Sequence, residues 1–129
     1  MTIKEVSKQF NISSATLRYY EKIGLMDPVT KNESGHREYE EKDLRRINFI
    51  KCMRTSGVSI EGIKKYVDLF NEGEHTISER KQILVEQLNE LTLQVENLQK
   101  VVTYLKNKIE NYEETLVKRE MEQRQKSKN

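Results

Sequence analysis

The sequence predicts an all-α protein with a small β wing: a winged helix-turn-helix followed by one long dimerisation helix that forms a coiled coil. Three observations carry this. Two short amphipathic segments stand at the N-terminus with a brief break between them. A turn-rich stretch without helical period separates them from two further helices. From about residue 78 the apolar residues fall into heptads.

Thr2 opens the first segment as a helix N-cap, and Glu5 three residues on completes a capping box, so orphan N–H groups at that end find local partners. Ile3, Val6 and Phe10 then share one helical face. The pattern breaks at Asn11-Ile12, after which Ser13 or Ser14 caps a second helix that Gly24 ends. Between Leu25 and Tyr39, Pro28, Asn32, Ser34 and Gly35 are turn formers, and this stretch is expected to fold as a two-stranded wing. Residues 43–53 place Leu44, Ile47, Ile50 and Met53 at helical spacing, and Ser59 caps a fourth helix carrying Ile60, Ile63, Val67 and Phe70.

Leu84, Leu88, Leu91, Val95, Leu98, Val102, Leu105, Ile109, Tyr112 and Leu116 follow in alternating steps of four and three. At ~1.5 Å per residue this seam runs about 48 Å. It cannot be buried by folding back on so small a body, so a second copy is expected to cover it. The expected divisions are a DNA-binding domain over 1–72, a dimerisation helix over 73–118 and a polar, fraying tail over 119–129.

Composition agrees with one core plus an appendage. Only 35% of the 129 residues are hydrophobic, while 34% are charged and a single proline is present, the balance of a helical chain with much exposed surface. Net charge is only +2, with 13 Lys/Arg against 10 Asp/Glu over residues 1–71 and 10 against 11 over 72–129. Charge alone therefore does not point to nucleic acid. No signal-peptide pattern and no apolar run of membrane-spanning length occur, so a cytoplasmic protein without membrane contact is expected. The lone cysteine excludes an intramolecular disulfide and a cysteine-based structural zinc site. An enzyme is not expected either: no Ser/His/Asp set, carboxylate pair or phosphate loop is present.

A helix-turn-helix lays its second helix in the major groove of double-stranded DNA, with residues near that helix's N-terminus facing the base edges. Here those residues are Ser14, Thr16, Arg18 and Tyr19. Arg18 can bond a guanine edge or phosphate oxygens, and Thr16 can donate to a phosphate or touch a thymine methyl group. Tyr20 is assigned to packing. Lys64 and Lys65 on the fourth helix offer further phosphate contacts, although such a pair more often forms a solvated face.

The ordered string Arg18-Tyr19-Tyr20-Glu21-Lys22-Ile23-Gly24-Leu25, then Gly35-His36-Arg37-Glu38-Tyr39, then Asp43-Leu44-Arg45-Arg46-Ile47-Asn48-Phe49-Ile50 resembles the winged helix-turn-helix of the MerR family of bacterial transcription regulators. The resemblance covers the first seventy or so residues and continues loosely through the long helix. It implies DNA contacts from Arg18 and Tyr19, a wing contact from Arg37 near phosphates or minor groove, and a phosphate-donating hydroxyl at Tyr39. His36 stands where the family usually has an aromatic. The resemblance further implies an antiparallel homodimer that distorts promoter DNA for RNA polymerase; heptad pattern alone leaves the helix orientation open.

Metal sensors of the family carry cysteines around the start of the long helix and in a short C-terminal loop, and drug sensors carry a large ligand domain. This chain has no cysteine after position 52 and only a short tail beyond the heptads, so neither a metal nor a small-molecule cofactor is expected, at His36 and His75 included. Cys52 reads in two ways. It is a small buried hydrophobe of the third helix, or it is a sensor thiol whose neighbours Lys51 and Arg54 favour the thiolate. The stretch Phe49-Ile50-Lys51-Cys52-Met53-Arg54 resembles the NmlR/AdhR-like branch of the family, which implies a single cysteine in this helix and a link to aldehydes and other electrophiles. The alternative from another class is a coiled-coil adaptor without specific DNA binding.

Overall fold

The computed structural model describes residues 1–112, 114 and 117–128, with side chains through 125. Among the described residues six helices follow in order: α1 (Ile3–Phe10), α2 (Ser14–Lys22), α3 (Glu41–Thr55), α4 (Ile60–Glu72), α5 (Ile77–Glu110) and α6 (Val117–Lys128), with a 3₁₀ turn at Glu74–Thr76. The chain divides into two compact units, Met1–Gln87 and Leu88–Asn129.

Local chemistry sets the helix ends. The Glu5 N–H donates to Thr2 Oγ1 at 3.2 Å while the Thr2 N–H donates to Glu5 Oε1 at 3.1 Å, the capping box expected from sequence. The Thr2 N–H, and after it the Thr2 hydroxyl, hold the Glu5 carboxyl below the usual carboxylate range. Asn11 takes the left-handed conformation (φ 55°) that lets α1 stop and the chain turn. Of the two serines that follow, Ser13 is the cap of α2, accepting from the Thr16 N–H at 3.1 Å. Ser59 caps α4 in the same way, accepting from Gly62 at 3.1 Å.

The first unit's core gathers Val6 from α1, Leu17 and Tyr20 from α2, Leu25, Met26, Val29 and Tyr39 from the connecting segment, Ile47, Ile50 and Met53 from α3, and Ile63 and Val67 from α4. Each helix contributes the face that its apolar spacing marks. The first turns of α5 belong to this unit because polar groups tie them down. The buried Thr76 hydroxyl donates to the carbonyl of Leu69, Arg80 lies over the Phe70 ring 5.1 Å from its centroid with Arg46 at the same distance, and Gln87 Nε2 donates to the Ser56 carbonyl at 2.8 Å.

The expected two-stranded wing is not confirmed as paired strands. Among the described residues no strand forms; the segment is a hairpin with one antiparallel bridge, Lys31 to Arg37. The tip explains why. Asn32 Oδ1 accepts from both Ser34 and His36 at 3.0 Å, and Gly35 adopts φ 80°, so the tip is a side-chain-stabilised turn. Below it the Glu38 N–H donates to the Thr30 carbonyl at 2.8 Å, and Tyr39 then leaves to exchange backbone bonds with Met1. Too few pairs remain for a ladder.

In the second unit the helical backbone of α5 continues from Leu88, and residues 117–128 are helical as well. The side chains of Leu88, Val95, Leu98, Val102, Leu105, Ile109 and Tyr112 are all exposed, and none of the residues of α5 is buried within the chain. Leu116, the last position of the predicted seam, lies outside the described residues. No helix among the described residues is long and apolar enough to cross a membrane.

Candidate nucleic-acid interface

The alternation of buried and exposed positions along α2 defines the surface it presents. Leu17 and Tyr20, three residues apart, are buried in the core, which turns Arg18 and Tyr19 outward; Tyr19 is 50% exposed. Ser14 and Thr16 are half-buried in the first turn. The Ser13 hydroxyl donates to Thr16 Oγ1 at 2.8 Å, so the Thr16 hydroxyl hydrogen points elsewhere, available to an acceptor. Arg18 makes no hydrogen bond or ion pair among the described residues.

A cleft of about 370 Å³ opens beside this helix, lined by Thr2, Ile3, Lys4, Arg18, Asn32, Gly35, His36 and Arg37. It brings the recognition helix, the wing and the first turn of α1 to one place. Lys4 was not singled out from the sequence. Its signal is the first turn of α1, which faces outward opposite the buried Val6.

Arg37 stands differently from the expected free wing contact. Its Nε and Nη2 donate to the two oxygens of Glu21 at 3.1 and 3.3 Å, a two-pronged pair between wing and recognition helix. Both side chains are largely covered, at 23% and 17% exposure. The bond to Glu21 raises the guanidinium's affinity for its proton. Tyr39 also departs from expectation: it is a core residue, 3% exposed, and its hydroxyl is buried without a hydrogen-bond partner among the described residues. Burial pushes its phenol upward from the ordinary value. The hydroxyl expected to meet a phosphate is thus turned inward by the ring's place in the core.

Gly24 ends α2 at φ 84°, and the Lys64 ammonium lies where a side chain at Gly24 would come closest, at 3.5 Å. Lys64 also pairs with Asp68 at 3.0 Å. Lys65 is exposed.

Cys52 is exposed on α3, which corrects the reading of it as a buried core residue. Its flanking cations are engaged elsewhere: the Lys51 ammonium bonds the carbonyl of Phe10, and Arg54 Nη1 donates to the carbonyl of Val58 at 3.0 Å. They hold the ends of α1 and α3 to their neighbours.

Residues 1–69 match the family described as MerR HTH family regulatory protein, and residues 44–107 match the one described as MerR, DNA binding. Among curated relatives, the HTH-type transcriptional regulator AdhR of Bacillus subtilis is 50% identical over 91 residues, 70% of this chain and 65% of that protein. The chain thus spans just under two thirds of that relative's length. A solved structure of a MerR family transcriptional regulator from Listeria monocytogenes superposes with a TM-score of 0.79 at 40% identity, covering 98% of this chain and 96% of the other. HiNmlR, a MerR family regulator lacking the sensor domain and solved bound to promoter DNA, gives a TM-score of 0.82 at 28% identity, covering 91% and 89%. With its capped helix pair, its wing hairpin and the extent of these matches, the chain belongs to the MerR family of helix-turn-helix DNA-binding transcription regulators.

Proposed function

We propose that the chain works as a homodimer on a palindromic promoter site, reading DNA with Ser14, Thr16, Arg18 and Tyr19 of α2 and distorting the spacer so that RNA polymerase can engage it. The observation that carries this is the outward placement of Arg18 and Tyr19 on a helix whose Leu17 and Tyr20 are locked in the core. The likeness to HiNmlR, a protein solved on promoter DNA, supports it. In this reading residues 1–72 grip DNA, residues 73–118 pair with the second copy through the exposed heptad seam, and residues 119–129 are an accessory tail. Bending the spacer costs roughly 1–6 kcal/mol, offset by added backbone contacts as the DNA wraps. Hydroxyl-radical footprinting tests the reading. Two protected half-sites about one helical turn apart, roughly 34 Å, are expected, with binding that weakens steeply as salt rises. A single protected patch would remove the dimeric palindrome.

The signal we assign to Cys52. Its thiol is exposed on α3, one residue before the buried Met53 and two after the buried Ile50. Addition of the thiol to an electrophile such as an aldehyde, the S–H proton passing to the carbonyl oxygen, adds bulk and polarity to the outer face of α3, and a differential cost of about 1.4 kcal/mol between two domain arrangements shifts their balance tenfold. The similarity to AdhR supports this branch of the family. In a reporter strain challenged with a reactive aldehyde, Cys52→Ala and Cys52→Ser are expected to lose induction while binding the same promoter site. Induction equal to wild type in both variants would show that the signal enters elsewhere.

A further inference from the structure

Glu21 is the one acidic residue of α2, and three bonds converge on its carboxylate. Arg37 supplies two, from Nε at 3.1 Å and Nη2 at 3.3 Å, and the backbone N–H of Val29 supplies the third at 3.3 Å. Val29 lies on the incoming leg of the wing hairpin and Arg37 on the outgoing leg, on either side of the turn at Asn32. One carboxylate on the recognition helix therefore holds both legs of the wing. The hairpin itself contributes a single bridge, and an isolated two-stranded hairpin is marginal in water.

We infer that Glu21 is a positioning residue for DNA binding, a latch that fixes the wing against the recognition helix, and that Arg37 acts as the other half of that latch. The inference rests on the DNA-binding reading above. It also separates sharply from the assignment of Arg37 as a phosphate contact. A carboxylate beside the phosphate backbone repels it, so if Arg37 served DNA directly, removing the Glu21 charge would free the guanidinium and tighten binding. A latch predicts the opposite sign.

The test is equilibrium binding by the full chain, using the duplex that the wild-type protein selects from a random-sequence pool. Glu21→Gln and Arg37→Gln are each expected to weaken binding roughly tenfold, the scale of one lost charge-assisted contact. The double variant should be no weaker than the worse single one, because both changes break the same tie. Amide hydrogen exchange of the free protein should quicken over residues 30–38 in both variants and stay slow in α3. If loss of protection in α3 shows that Glu21→Gln has unfolded, Arg37→Lys decides the matter. It keeps a charge for a phosphate but loses the two-pronged bond, so the latch predicts a loss here too. Tighter binding by Glu21→Gln, additive losses in the double variant, or wild-type binding by Arg37→Lys would each overturn the latch. A wild-type chain that selects no duplex would overturn the DNA-binding reading and this inference with it.

Discussion

Leu98→Glu is expected to turn the protein from a dimer into a monomer. Leu98 lies in the interior of the heptad seam and is 65% exposed in the single chain, with Val95 and Val102 exposed on the same stripe. In the proposed pair this position is expected to become a closed apolar layer. Losing the leucine there removes about 1.5–3 kcal/mol of burial per chain, and an ionised carboxylate in its place adds a desolvation penalty of several kcal/mol that no partner offsets. Both terms enter twice, once for each copy. The first unit should stay folded, because the core of Met1–Gln87 draws nothing from Leu98. The substitution therefore separates assembly from folding. Light scattering at low micromolar concentration should give the monomer mass with unchanged α-helical signal from the first unit. Affinity for a palindromic duplex should fall by about 10²–10⁴-fold, since each recognition helix would then bind without the effective concentration that linkage supplies. A variant that remains fully dimeric would refute the seam.

Much of this fold was legible because the deciding interactions are local. Thr2 with Glu5, Ser59 before α4 and the spacing of Ile47, Ile50 and Met53 all act within a few residues, and each is found where local rules place it. The wing was less legible. Whether a turn-rich segment extends into paired strands depends on how its backbone groups are shared, and here the side chain of Asn32 takes two N–H groups at the tip while Tyr39 pairs with Met1. The exposure of Cys52 could have been read from spacing. At ~100° per residue it stands about 160° around the helix from Ile50, off the core face, which argues against a buried thiol from the start.

The candidate site divides the same way. The outward turn of Arg18 and Tyr19 follows from helical periodicity once Leu17 and Tyr20 are recognised as core. The partner of Arg37 was hidden, because Glu21 lies 16 residues earlier and only the return of the hairpin brings the two together. Tyr39 was hidden for a related reason. Its ring is drawn inward by the core formed between α3 and the connecting segment, a tertiary demand that leaves no mark on neighbouring residues.

Arg18→Ala tests most directly whether α2 is the helix that reads DNA. Arg18 is exposed, makes no hydrogen bond or ion pair within the described residues, and lines the cleft shared with Lys4 and the wing. Its removal should leave the fold untouched. A guanidinium that reads a base contributes about 1–3 kcal/mol of discrimination at each half-site, and one that binds a phosphate lowers the salt slope by about one per subunit. The measurement is the affinity of wild type and Arg18→Ala for the selected duplex and for a scrambled duplex across a salt series. Wild type is expected to prefer the selected duplex, and Arg18→Ala to lose most of that preference while keeping its thermal stability and dimer mass. Wild-type affinity and salt dependence in Arg18→Ala on both duplexes would contradict the account and favour a coiled-coil adaptor whose front domain does not read DNA.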